Sequence, residues 1–193
     1  MTKKIGILCI GNKLLMDDGL AIALYEELVE CYDFTDDVEI FDVGCMSMYM
    51  VGYVEKFDLL ITVDALDGTD EVPGTVFEFE DYDMERSTNT MQLLHDLKLV
   101  VLLDAAKLLG HDCDVLCFGM QVENANPDNM AMYLSAPVCE NLPLLVEAVL
   151  AALLRNGAVV TCKSDGSLVI PGHRHLLSRD HSKEDAALHE SYT

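Results

Sequence analysis

The sequence predicts a three-layer α/β/α domain, in which a central, mostly parallel, twisted sheet of about five strands is flanked by helices. Three observations lead there. Short apolar runs alternate with helical periodicities along most of the chain. The runs are continuous, as buried strands covered on both faces must be. Several of them stop at a glycine or an aspartate. With 193 residues, 51% of them hydrophobic, the chain can fill one core, and a single domain over residues 1–160 accounts for the pattern.

Ile5 to Ile10 is an unbroken apolar run ending at Gly11, which predicts the first strand. From Asp18 the spacing changes: Ala21, Leu24, Tyr25, Leu28 and Tyr32 recur at helical intervals, with Glu26, Glu27 and Glu30 on the opposite face. Val38 to Val43 predicts a second strand, ending at Gly44, and Met46 to Phe57 a short helix rich in Met and Tyr. The third strand, Leu59 to Val63, ends at Asp64.

Beyond the turn Val72-Pro73-Gly74-Thr75, apolar and acidic residues alternate from Val76 to Phe79, the pattern of an edge strand with one wet face. Met91 to Leu109 predicts a long helix closed by Gly110, with His95 in its first turn. Cys113 to Met120 is another buried strand, and Ser135 to Arg155 a final helix stopped by Asn156-Gly157. From 161 to 193 the composition turns polar, charged and histidine-containing without apolar periodicity, which predicts a flexible tail.

The net charge of −22, with only 12 basic residues, disfavours nucleic acid and anionic membrane as partners, because phosphate contacts need clustered Lys and Arg. A cation or a basic protein partner fits better. Seven cysteines with no CxxC pair, mostly in apolar contexts, indicate a reducing cytoplasm. The first apolar run stops at a turn before it could form a signal-type segment, and no stretch reaches the roughly 18 uninterrupted apolar residues of a membrane helix.

Chemistry should gather where the strands end, since ligands of open α/β sheets bind outside the carboxyl ends of strands. Asp18 follows the first strand, Asp42 ends the second and Asp64 ends the third. The first turn lacks the GxGxxG spacing of dinucleotide sites and puts Asp17 and Asp18 where a pyrophosphate would sit, so it favours a cation. Each residue also has an ordinary role: helix capping for Asp17 and Asp18, a turn bond for Asp64, a helix-end histidine for His95. His173, His175, His181 and His189 in the tail could bind Ni²⁺ or Zn²⁺ weakly, although an inert solvated tail is the commoner outcome. Met46, Met48 and Met50 are either core filler or an adaptable partner surface.

Six segments, CIGNKLLMDDGLA, ITVDALDG, VPGTV, HDLKLVVLLDAAKLLG, FGMQVE and LSAPVCENLPLLVEAVLAAL, resemble in order and spacing those of the [NiFe]-hydrogenase maturation endopeptidases, over residues 4 to 155. The resemblance implies a monomeric aspartyl-type endopeptidase that trims the C-terminal peptide of a hydrogenase large-subunit precursor after nickel insertion. It places the metal-binding and catalytic triad on Asp18, Asp64 and His95, and a substrate-selecting loop on Asp42 and Gly44. The cofactor it implies is nickel, presented by the precursor. Two carboxylates and an imidazole suit a borderline divalent ion. The chain departs from the family pattern at Ala21, Val43 and Lys98, and Lys98, close to one turn from His95, must face solvent or a carboxylate if a cation is to bind. A non-catalytic, metal-binding docking relative of the same fold is the alternative those departures raise.

Overall fold

The computed structural model describes residues 3–45, 51–80, 92–93, 110 and 113–183. Strand β1 (Ile5–Ile10) is buried along its whole length. After it come a 3-10 turn (Met16–Gly19), α1 (Leu20–Cys31), β2 (Tyr32–Phe34), β3 (Val38–Gly44), α2 (Val51–Lys56) and β4 (Leu59–Asp67). Then follow β5 (Val76–Glu80), the two-residue β6 (Gln92–Leu93), β7 (Asp114–Gln121), α3 (Ala136–Arg155) and β8 (Val160–Cys162).

The main sheet has the order β3-β1-β4-β7-β5, with β6 attached to β4. β1 runs parallel to β3 and β4, and β4 parallel to β7, so the carboxyl ends of four strands share one edge. β5 is antiparallel at the far side with Glu78 exposed, the expected wet edge strand.

The pleat divides the core in two. Ile5, Ile7 and Cys9 of β1 and Ile61, Val63 and Ala65 of β4 pack with α1 and α3. Leu8, Ile10 and Leu60 pack instead with Val54 of α2 and with Phe57 just beyond its end. A Cβ at Gly6 would lie 2.7 Å from the Phe57 ring, so the glycine lets that ring lie flat on β1. α3 is long and apolar enough to cross a membrane by length and composition. It spends that character on the sheet, burying Val138, Leu142, Leu145, Val149 and Leu153.

Four expectations change. β4 runs to Asp67 instead of stopping before Asp64, because its ladder with β7 continues as far as Leu66–Gln121. Gln92 and Leu93, expected in a helix, pair with Asp67 and Leu66; the rest of the predicted 91–109 helix lies outside the described residues, as do Met46, Met48 and Met50. Tyr32 leaves α1 for β2, which pairs antiparallel with β8.

The largest correction concerns the stretch from 161. Over its described part, to residue 183, it is a strap laid across α1 and α3. Val169 joins the core, the His175 N–H donates to Glu147 of α3 at 3.1 Å, and the Leu134 N–H donates to the His181 carbonyl at 2.8 Å. The strap covers Glu27, expected on a solvated face and in fact fully buried. Polar composition misled here because the partners that satisfy these groups lie about 150 residues apart, outside any local pattern.

Candidate functional site

The β1–β4 ladder ends at the Cys9–Val63 pair, while β4 continues against β7 with Asp64 opposite Gly119. Asp64 therefore stands on a supported strand at the level of Ile10, the last residue of β1. Its Oδ1 accepts the Ala65 N–H at 2.8 Å, and the residue is 5% exposed.

The chain leaves β1 through Gly11, whose N–H donates to the Gly44 carbonyl at 3.1 Å, and the next N–H, of Asn12, donates to the Asp18 carbonyl at 3.1 Å. A Cβ at Gly11 would sit 2.0 Å from that same Asp18 oxygen. Only glycine lets the 3-10 turn close onto the end of β1, and the turn also packs against β4. Asp18, 4% exposed, and Asp64 are thereby held at the same end of β1 by different elements. Met16, just before the pair of acids, has φ of 51°. That left-handed backbone costs about 1 kcal/mol and is held by the Met16 N–H donating to the Ala131 carbonyl at 2.7 Å.

Neighbouring Asp17 does different work. Fully buried, it accepts the N–H groups of Glu123 and Asn124 on Oδ2 at 3.2 and 3.0 Å and that of Ser135 on Oδ1 at 2.7 Å. It ties the first turn to the loop after β7 and to Ser135, the N-cap of α3. Capping of α1 is the role of neither acid, since its N-cap is Gly19 and no side chain bonds there.

Asp42 lies within β3 opposite Cys9 and is exposed. Its Oδ1 accepts the Gly44 N–H at 3.0 Å, so it shapes the loop whose Gly44 carbonyl holds Gly11. Burial, and then the charge of Asp42, push the Cys9 thiol far above its ordinary range, which removes it as a nucleophile. His95 and Lys98 lie outside the described residues; the backbone of Gln92 and Leu93, just before His95 in the chain, runs beside Leu66 and Asp67 of β4. The Leu15–Ala131 bridge brings two loops together at this edge, and Leu14 and Met130 on them are exposed.

A second polar cluster gathers His175 and His181, named above only as weak metal ligands of a flexible tail, around Glu27, which the sequence reading placed on a solvated face. Glu27 accepts from His175 Nε2 at 2.8 Å, His181 Nε2 at 2.7 Å, and Ser178 N and Oγ at 2.7 and 3.0 Å. Burial alone would raise its pKa, but those hydrogen bonds outweigh it and hold the carboxyl well below its usual range. The only sequence signal was the His173-Arg174-His175 spacing together with Glu27 and Cys31 one helical turn apart.

Residues 22–152 match the model of a family described as hydrogenase maturation protease, a span that includes Asp42, Gly44, Asp64 and His95 and begins after Asp18. The chain is 31% identical over 178 residues to the hydrogenase expression/formation protein HupD of Rhizobium leguminosarum bv. viciae, covering 92% of this chain and 85% of that one. It is 30% identical over 155 residues to the hydrogenase 2 maturation protease of Escherichia coli K12, covering 80% and 93%. Among solved structures it superposes on the hydrogenase maturating endopeptidase HybD from E. coli with a TM-score of 0.76 at 29% identity, over 84% of this chain and 99% of that one.

Proposed function

The chain belongs to the hydrogenase maturation protease family and is an endopeptidase; from that premise we propose that it removes the C-terminal peptide of a [NiFe]-hydrogenase large-subunit precursor once nickel is in place, the metal arriving with the precursor. The observation that carries this reading is the placement of two buried carboxylates, Asp18 and Asp64, at the end of β1 by separate elements. Oxygen donors of this kind, joined by the imidazole of His95, suit a borderline divalent ion.

In this reading Asp18, Asp64 and His95 hold the precursor's nickel during cleavage. Nickel supplies Lewis acidity, polarising the scissile carbonyl or acidifying a bound water. The protein's own contribution is position. The β4–β7 ladder fixes Asp64, and the three backbone bonds of Asp17 fix the turn that carries Asp18, so little reorganisation accompanies binding. Exposed Leu14 and Met130 beside the turn give a protein substrate apolar footing, and the Asp42–Gly44 loop selects among precursors. Cytoplasmic location, a monomeric state and the absence of nucleic-acid or membrane partners belong to the same proposal and rest on composition and family.

The test is to incubate the purified protein with nickel-loaded and nickel-free precursor and follow the mass of the large subunit. Loss of the C-terminal peptide in the loaded sample alone is expected. Equal cleavage of both would overturn nickel dependence, and cleavage of neither would overturn the assignment of substrate.

A further inference from the structure

Away from the strand edge, the donor atoms best suited to a metal meet on α1. Glu27 is fully buried and His175 is 3% exposed. Cys31, one helical turn after Glu27, places its Sγ 4.0 Å from Glu27 Oε2, and His175 Nε2 lies 2.8 Å from the same oxygen. The carboxylate oxygen, thiol sulfur and imidazole nitrogen of the three residues all fall within 4.8 Å of one another. A tetrahedral zinc-class ion needs its ligand atoms about 3.3–3.6 Å apart. The two separations from Oε2, 2.8 and 4.0 Å, fall on either side of that range, and shifts of about half an ångström would bring both into it, with the thiol drawn in further toward the imidazole.

The surroundings supply what such a site needs beyond its ligands. A ligating imidazole donates its other N–H to an outer acceptor that fixes its tautomer. Here His175 Nδ1 lies 2.8 Å from the Tyr32 hydroxyl, which lies 2.9 Å from His173 Nε2. That chain works in either direction. With Nε2–H donated to Glu27, Nδ1 accepts from Tyr32. With Nε2 turned to a metal, Nδ1–H donates to the Tyr32 oxygen and Tyr32 donates on to His173. Glu27 Oε2 keeps its bond from Ser178 N, and Oε1 those from His181 and Ser178 Oγ. Cys31 is only part-buried, which gives an ion a way in.

We propose that Glu27, Cys31 and His175 form a second divalent-metal site, of zinc class, separate from the strand-edge triad, which clamps the strap around His173–His181 onto α1 and leaves a fourth position for water. Binding releases the thiol proton of Cys31, while the proton leaving His175 Nε2 is made good by one taken up along the His173–Tyr32–Nδ1 chain, so that the imidazole stays neutral and one proton is released in net. Its donor set contains a thiolate, whereas Asp18, Asp64 and His95 contain none, so a spectroscopic probe separates the two sites.

The experiment titrates the purified full chain with Co²⁺ and follows the thiolate-to-cobalt charge-transfer absorption in the near ultraviolet. One equivalent of Co²⁺ with that absorption is expected, displaced by Zn²⁺, lost in Cys31→Ser and in His175→Gln, and retained in Asp64→Asn. Circular dichroism confirms that each variant is folded. No charge-transfer absorption in the wild type would overturn the proposal, as would an absorption that persists in Cys31→Ser, which would belong to another cysteine. Neither result bears on cleavage of the precursor.

Discussion

Asp17 and Glu27 are both fully buried carboxylates in a chain whose net charge is −22, yet they are satisfied in opposite ways. Asp17 draws only on backbone N–H groups, those of Glu123, Asn124 and Ser135, which neither titrate nor swing. Glu27 draws on His175, His181 and Ser178, mostly side chains that rotate and, for the histidines, change charge. A carboxylate next to the turn that carries Asp18 is held by the part of the protein that cannot adjust. One that fastens a peripheral strap is held by the part that can.

The contrast is broken most severely at the strand edge itself. Asp18→Ala and Asp64→Ala should each lower precursor processing by about three orders of magnitude or more, the scale on which loss of a group that acts only in the transition state is felt. Unchanged circular dichroism would locate the loss in the site and not the fold. Full activity in either variant would remove that residue from the chemistry.

Asp17→Ala leaves three N–H groups without their acceptor and should cost about 3–5 kcal/mol of stability, measured by urea unfolding, together with a drop in processing as the turn shifts. Glu27→Ala leaves His175, His181 and Ser178 facing a void. It should cost about 2–4 kcal/mol, with new proteolytic cutting between 163 and 183. If Asp17→Ala proves the milder of the two, rigidity of donors is not what separates the regions.

Acidification should touch one region first. The ordinary carboxyl value for Glu27 is 4.5 and its folded value is lower, so the folded chain binds fewer protons and stability from this group is complete above about pH 4.5. It declines as the pH falls further toward the folded value. Glu30, held low by Arg179, and Asp180, lowered to about 2 by Lys183 and Ser182, act in the same direction. Unfolding free energy measured from pH 6 to pH 3 should therefore fall less steeply in Glu27→Gln than in the wild type. The smallest effect is expected for Arg179→Ala. Its pairs with Glu26 and Glu30 are solvent-exposed, and such pairs contribute about 1 kcal/mol or less.

The two regions also differ in how legible they are. Ile5–Ile10, Cys113–Met120 and the last helix could be read because burial on both faces, or at helical spacing, is written in consecutive residues. Asp18 and Asp64 could be placed at one edge because parallel strands align their carboxyl ends. The division of labour between Asp17 and Asp18 could not, since it depends on where the loop at 123–124 returns. Glu27 was hidden more deeply: an acidic residue beside Glu26 and Glu30 has the pattern of a solvated helix face, and nothing local announces histidines about 150 positions away. Tyr32 was assigned to the helix for the same reason, as its strand partner is Cys162.

That separation also sets an order of events during synthesis. His175 follows Glu27 by 148 residues, and a ribosome adding about 5–20 residues per second needs about 7–30 s to cover that interval. Throughout it the groups that cover Glu27 have yet to be made, so the burial of this carboxylate is completed late. A chain cut short near residue 170 would retain every strand of the described residues and both Asp18 and Asp64 while lacking the histidines that cover Glu27.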